Sequence, residues 1–398
     1  MQTVVLTVEY STRSSYYLDW MDAFRQSPDF AVTAFNLFRR AERNAARRAI
    51  ETAELVVALH ACSADTLDYI EPVAGALKAR RGRLLMFVGN EYNLPWVRLN
   101  DKRQFIAAVG ADFIATQLLL EAGEWLYEGC GAAVLALPHA LNDNAFRRKK
   151  DDPARRIDIG GRSARYPIFL GDNERNRIYE TFRQLGPEVG LTTDIDSASG
   201  SRLARPDWAA FLNDCRGTIG TEAGSWYLDR DDRLVLEIRE FLRQRTGGYT
   251  LRADGLAHSL SRRLPYGLKV GLRTLLQWLP LRHEAVESEA PDFAEIEARF
   301  FTGRPRAPVY SKCISSRHFD AAGTGTCQIL LRGRYNDILR ADEHYIALDH
   351  DFGNVATVIE RFRDPGERKR VADNVNAYVR AEHTYRERLA ALHRILTR

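Results

Sequence analysis

Short, unbroken apolar runs alternating with helical patterns constrain the first third of this chain more than any other feature. Apolar runs occur at 4–8, 30–35, 55–59, 84–88, 112–116 and 132–137, and the stretches at 16–25, up to about 51, up to 80 and 121–127 carry helical spacing. A strand with one wet face alternates apolar and polar residues. Runs of Val, Leu and Ala with no alternation belong instead to strands covered on both faces, which means a parallel sheet between helices. The first third therefore reads as a doubly wound α/β domain.

Residues 141–156 (LNDNAFRRKKDDPARR) turn polar and charged, as a linker does, and the boundary is placed at 150. A second cycle follows, with strands expected at 157–159, 189–194, 218–220, 327–331 and 344–348 and helices at 173–185, 206–214, 315–322 and 336–340. It is interrupted by an irregular, charge-rich insertion at about 226–305 and ends in a helical tail, 355–398, expected to close the second domain. The expectation is two Rossmann-like domains, 1–150 and 151–398, which suits 398 residues with 45% hydrophobic content. In such sheets ligands bind at the carboxyl ends of the strands.

The 57 basic and 53 acidic residues leave a formal charge of +4, far from the dense positive field of a nucleic-acid binder. Only seven of the basic residues are lysine; arginine is the better fork for phosphate oxygens, although such a bias also follows from genome composition. The five cysteines contain no C-x-x-C pair, which argues against a disulfide framework or a zinc site, and no metal ligand cluster is evident. There is no run of 18 apolar residues and no charged leader before the first strand, so a cytoplasmic protein is expected.

The stretch SKCISSRHFDAAGTGT at 311–326 is the strongest chemical signal. Lys312 and Arg317 would supply charge to a diphosphate, the turn Gly323, Thr324 and Gly325 would supply backbone N–H groups, and Asp320 would accept from ribose hydroxyls. The alternative is a plain glycine turn between helix and strand. A second small-residue strand end, GTIGTEAGS at 217–225, would project Glu222 towards sugar or ribose hydroxyls, the alternative being a capping glutamate. In the first domain Glu9, His60, Asn90, Glu91 and His139 fall at strand ends. Glu9, His60 and Glu91 are the candidates for a general base acting on an acceptor hydroxyl; the alternative for each is a satisfied polar group or helix cap.

The run SSRHFDAAGTGTCQILL, followed by YNDIL, HYIAL and HTYRER, resembles the nucleotide-sugar domain of bacterial glycosyltransferases of the group 1 type. Within that type it is similar to the branch of O-antigen, capsule and spore-coat clusters with the pattern R-x-F-E-x-x-A-x-G. The resemblance covers the second half of the chain, and the first half as a fold. It implies a GT-B fold, with the acceptor on the first domain and a sugar nucleotide on the second. It also implies that the strand ending in Gly160-Gly161-Arg162 and the helix with Arg175 hold the donor diphosphate, with Arg162 first and Arg165 and Arg175 behind it. A surface cluster with Asp172 and Glu174 is the alternative. Asp320 stands where the pattern has glutamate, one methylene longer.

The reading is a metal-independent glycosyltransferase with no cofactor. It would move a sugar from a nucleotide diphospho-sugar to a glycan or lipid-linked acceptor in surface polysaccharide synthesis. The leucine-, tryptophan- and arginine-rich segment 262–283 would lie on an anionic membrane surface, or else form a core or dimer helix. The rival functions are a nucleotide-sugar epimerase of the same fold and a silent sugar-nucleotide or glycan-binding subunit.

Overall fold

The computed structural model describes residues 1–9, 15–64, 66–95, 97–198, 202–246, 250–251, 282–283 and 293–397. The expected membrane or dimer helix of 262–283 lies outside the described residues apart from its last two positions, and so does the loop 10–14 after Glu9. No helix among the described residues is long and apolar enough to cross a membrane.

The first sheet contains β1 (Gln2–Thr7), β2 (Ala31–Asn36), β3 (Leu55–Ala58), β4 (Arg83–Phe87), β5 (Phe113–Thr116) and β6 (Ala133–Ala136). It is parallel throughout, in the order β2-β1-β3-β4-β5-β6. The unbroken apolar runs divide between two cores by alternation. Val4, Leu6, Val56, Ala58, Leu84 and Met86 enter one core, while Val5, Leu55, Val57, Leu85 and Phe87 enter the other. The helices of this lobe are α1 (Ser15–Gln26), α2 (Arg40–Thr52), α3 (Ala74–Ala79), α4 (Leu99–Ala108) and α5 (Leu120–Tyr127).

The second sheet has the order β13-β12-β9-β7-β8, again parallel: β7 (Ile157–Arg162), β8 (Thr193–Asp196), β9 (Cys215–Gly220), β12 (Cys327–Leu331) and β13 (Ile346–Leu348). Its helices include α6 (Glu174–Glu188), α7 (Arg205–Asp214), α8 (Arg233–Thr246) and α9 (Ser316–Thr324). A short antiparallel pair, β10 (Ala223–Gly224) with β11 (Lys312–Cys313), ties the end of β9 to the start of the 311–326 stretch. The start of the insertion is ordered by apolar contact. Leu234, Val235 and Ile238 of α8 pack with Ile168, Phe169, Leu170 and Phe301.

The helical tail divides between the lobes, a difference from the expectation that all of it closes the second. In α10 (Val355–Arg363) and α11 (Pro365–Glu382), Val358, Phe362, Val371 and Val375 pack on the second sheet. In α12 (Tyr385–Leu396), Tyr385, Leu389, Leu392 and Leu396 enter the first lobe's core beside Trp20 and Phe24. At the crossing, Leu141 donates its N–H to His383 O at 2.8 Å and accepts from Tyr385 N at 3.1 Å. The lobes are also joined by Asp232, whose carboxylate receives the N–H groups of Leu99 (3.1 Å) and Asn100 (3.0 Å) and so caps α4.

Gly224 in β10 shows why this pairing needs glycine. Its φ is +107°, and a Cβ there would stand 2.4 Å from Ser311 O. Gly224→Ala is expected to cost about 2 kcal/mol or more of stability, read by denaturant unfolding; an unchanged midpoint would show that β10 relaxes freely.

Candidate functional site

The second sheet reverses its strand order at β7, which leads to β8 on one side while β9 lies on the other. That switch point is where an open α/β sheet opens a crevice. A pocket lies there, lined by Arg175, Tyr179, Trp208, Thr218, Ile219, Gly220, Thr221, Arg317 and His318 among others. Small residues allow the approach. Gly161 faces the Tyr179 ring, where a Cβ would be 3.1 Å away, and Gly220 faces Leu330 and His318.

Two cations meet in this pocket. Arg175, in the first turn of α6, lays its guanidinium over the Tyr166 ring at 3.8 Å. It is 8% exposed, and its buried Nη2 has no hydrogen-bond partner; nor has the buried Tyr166 hydroxyl. Arg317, in the first turn of α9, donates to Ser163 Oγ at 2.8 Å. Burial, and then Arg175 beside it, pull its guanidinium down to about 10, so it stays cationic at neutral pH. Neither arginine has a carboxylate partner among the described residues. His318 is held neutral, its pKa lowered to about 3 by burial and by Arg317, and its Nδ1 accepts the N–H of Ser315 at 3.0 Å. Two guanidinium groups beside the N-terminus of α9, one of them with an unfilled N–H, are the kind of groups an anion requires.

The other expected residues are placed differently. Arg162, first choice for the diphosphate, stacks over Phe211 (4.3 Å) and donates 2.7 Å bonds to Oδ1 and the carbonyl of Asp194 on the neighbouring strand. Its role here is to tie β7 to β8. Arg165, its alternate, does not line the pocket. Lys312 is 1% exposed because the β10–β11 pair carries it inward, and its Nζ is shared by Asp172 (2.5 Å) and Glu174. Burial alone would raise Glu174, but the His350 hydrogen bond (2.9 Å) and Lys312 bring it down to about 2. Lys312 is thus neutralised in a three-member network, and the phosphate role expected for it gives way to a structural one. The carboxyl cluster of Asp172 and Glu174 expected around Arg162 and its neighbours forms around Lys312 instead.

Glu222 is also buried. Oε1 accepts the Tyr335 N–H at 2.6 Å, Oε2 accepts from the Tyr310 hydroxyl, and burial raises its pKa. It orders the 333–335 turn, where a Cβ on Gly333 would stand 2.3 Å from Oε2. Asp320 does not line the pocket and accepts from Trp208 Nε1 at 3.0 Å; burial, with Asp19 nearby, holds its carboxyl well above the usual range. Gly323, Thr324 and Gly325 form the carboxyl end of α9, so the expected amide cradle is corrected. Gly325 is the left-handed C-cap (φ +65°), a Cβ on Gly323 would meet Leu141 Cδ1 at 2.4 Å, and the Thr324 hydroxyl bonds the Asp320 carbonyl. A helix carboxyl end presents carbonyls and a negative dipole end, and repels a phosphate.

In the first lobe Glu9 is exposed beyond β1, and its N–H bonds Asn36 Oδ1 at 3.1 Å. His60 is buried against Phe87 (5.1 Å) and stacks on His139 (5.1 Å), and burial then His139 hold it well below its usual pKa. His139 accepts from Trp20 Nε1 at 3.1 Å, and burial lowers it to about 3. Both rings are neutral aromatic core. Asn90, at a φ of +47°, accepts from Lys102 Nζ at 3.0 Å through its carbonyl. Glu91 is buried, accepts from Thr116 (2.5 Å) and Tyr127 (3.1 Å), and burial pushes it up to about 7. None of these residues lines the pocket. Sequence reasoning missed Tyr166, Tyr179, Trp208 and Ser163, although its candidates Arg175 and Arg317 and the strand end GTIGT lie in their neighbourhood.

Residues 293–394 match a family model described as glycosyl transferase-like. That segment, most of it in the second lobe, is what the chain shares with glycosyl transferase-like proteins. The chain's two facing Rossmann-like lobes have the GT-B fold: the sucrose-phosphate synthase of Thermosynechococcus elongatus is similar in fold with a TM-score of 0.51 at 11% identity, over 100% of this chain and 99% of that one. The Anabaena Alr3699/HepE protein in complex with UDP and glucose gives 0.48 at 9% identity, over 100% and 99%. No curated protein matches this chain in sequence.

Two predictions follow from the placement of charge. Lys312→Ala removes the cation from buried Asp172 and leaves Glu174 with His350 alone as its charged partner, and is expected to cost about 3–5 kcal/mol, whereas Arg317→Ala leaves thermal stability nearly unchanged; equal losses would mean the two cations are alike. Glu91 takes up its proton more readily folded than unfolded, 7 against 4.5, so stability is fully present at low pH and falls as pH rises through 7. Glu91→Gln is expected to remove roughly 3 kcal/mol of that fall between about pH 4 and 8, measured as unfolding free energy against pH; a wild-type profile in the variant refutes it.

Proposed function

We propose that this chain transfers a glycosyl group from a nucleoside-diphosphate sugar to a hydroxyl of a glycan or lipid-linked acceptor, with the diphosphate held by Arg175 and Arg317. One observation carries the reading. At the switch point of the second sheet two buried or half-buried arginines share a pocket with no carboxylate partner among the described residues, and one keeps an unused N–H. A buried cation without a partner is costly, so its retention points to a negatively charged ligand.

The chemistry follows from that charge. As the glycosidic bond to the diphosphate breaks, negative charge grows on the leaving oxygens. Arg175, Arg317 and the N-terminus of α9 are already oriented to receive it, so transfer requires neither metal nor cofactor. Glu9, exposed at the end of β1 where the first sheet reverses its order, is the first-lobe group placed to take the acceptor proton. The resemblance of the 315–331 stretch extends the reading to surface polysaccharide synthesis.

The test is calorimetric titration with UDP, GDP and dTDP. Arg175→Ala and Arg317→Ala are each expected to weaken the best binder by about tenfold to hundredfold, the worth of a charged hydrogen bond. Unchanged affinity in both variants would remove the diphosphate site. Slow release of free nucleoside diphosphate from the sugar nucleotide separates a transferase from a silent binding subunit.

A further inference from the structure

Helix α7 belongs to the second lobe, yet its first residue is gripped by the first. Arg205 Nη1 lies 2.7 Å from Asp19 Oδ1 and 2.6 Å from Asp22 Oδ2, both on α1. Asp19 is 1% exposed, and its Oδ1 also accepts from Asn142 Nδ2, on the linker between the lobes, at 2.7 Å. One turn further along α7, Trp208 walls the pocket that holds Arg175 and Arg317. The indole is fixed within its own lobe on two sides. Its Nε1 donates to Asp320, one turn beyond Arg317 on α9, and its ring lies nearly parallel to Phe211 at 5.7 Å and 21°. The ion pair between the lobes and the pocket wall are therefore three residues apart on one rigid helix.

We propose that Arg205 is a positioning residue for the donor pocket: by gripping Asp19 and Asp22 it seats α7 so that Trp208 walls the pocket, and it couples nucleotide affinity to the docking of the two lobes. This rests on the diphosphate reading given above. The coupling is reciprocal, so a bound nucleoside diphosphate tightens the contact between Arg205 and the first lobe. The pair is not needed to hold the chain together, because α12 and the Leu141 crossing already join the lobes. The arm to Asp22 is partly exposed and adds little stability, and burial raises Asp19 to about 6, so without Arg205 that carboxyl takes a proton rather than standing as a buried charge.

A single nitrogen of Arg205 serves both carboxylates, so a lysine ammonium can replace it. That separates positioning from mere packing. Arg205→Gln, Arg205→Lys and Asp22→Asn are titrated in calorimetry with whichever of UDP, GDP and dTDP binds the wild type, and their thermal midpoints are recorded. Asp22 lies on the first lobe and does not line the pocket, so its variant tests the coupling from outside the site.

The expected result is a Kd raised about fivefold or more in Arg205→Gln and in Asp22→Asn, with Arg205→Lys near wild type and all midpoints close together. An unchanged Kd in Arg205→Gln and Asp22→Asn, while Arg317→Ala loses binding, overturns the proposal and leaves the diphosphate site standing; a fall in midpoint without a change in Kd does the same. If none of the three nucleotides binds the wild type, the diphosphate reading fails and the coupling fails with it.

Discussion

A cation taken out of water must find a carboxylate, a ring of carbonyls or a ligand, and the second lobe can be understood by asking which of these each buried cation found. Lys312 found two carboxylates. Arg155 found carbonyls, bonding Leu212 O (3.1 Å), Cys215 O (2.6 Å) and Thr324 O (2.7 Å), and so binds the linker to β9 and α9. Arg162 found Asp194. Arg175 and Arg317 found a tyrosine ring, a serine hydroxyl and each other. The first three hold the scaffold; the last two have no carboxylate partner among the described residues, and they are the two that line the pocket. Charge satisfaction thus separates scaffold from site among residues that look alike in sequence.

The same constraint sorts the first lobe. Lys102 is 1% exposed and is satisfied by the carbonyls of Gly89 (2.6 Å) and Asn90 (3.0 Å), which fixes the bend after β4. Glu91 at that bend bonds two hydroxyls within its own lobe. His60 and His139 are neutral rings within the aromatic core of Trp20, Phe87 and Tyr385. These polar residues at strand ends complete a core under the switch point; Glu9, beyond it, remains in solvent.

The fold was legible because its signal is periodic and redundant. Val4 to Val8 and Leu84 to Val88 alternate between two cores, and a strand buried on both faces leaves an unbroken apolar run whatever its neighbours are. The site was legible only as a region. Arg317 and Arg175 were among its candidates, but so were Arg162 and Lys312, and what distinguishes them is the identity of a carboxylate distant in sequence. Asp172 reaches Lys312 from 140 residues away, and no local pattern encodes that. Trp208 was missed for the same reason: its neighbours Arg175 and Arg317 come from other helices. The fate of the tail was hidden as well, since the apolar stripe of α12 fits either lobe until the Leu141 crossing directs it back to the first.

The turn Gly323-Thr324-Gly325 explains why a glycine pair misleads at this place. Glycine is favoured both where a backbone cradles phosphate and where a helix ends in the left-handed conformation, and the two uses differ only in which end of the helix is near. Here Gly325 closes α9 at its carboxyl end, and Gly323 is small because Leu141 and Phe146 of the linker press on it. The amino end of α9, with the positive end of its dipole, lies at Ser315 to Arg317, beside the pocket. The glycines secure α9 to the linker between the lobes, and the arginine at the other end of the helix lines the pocket.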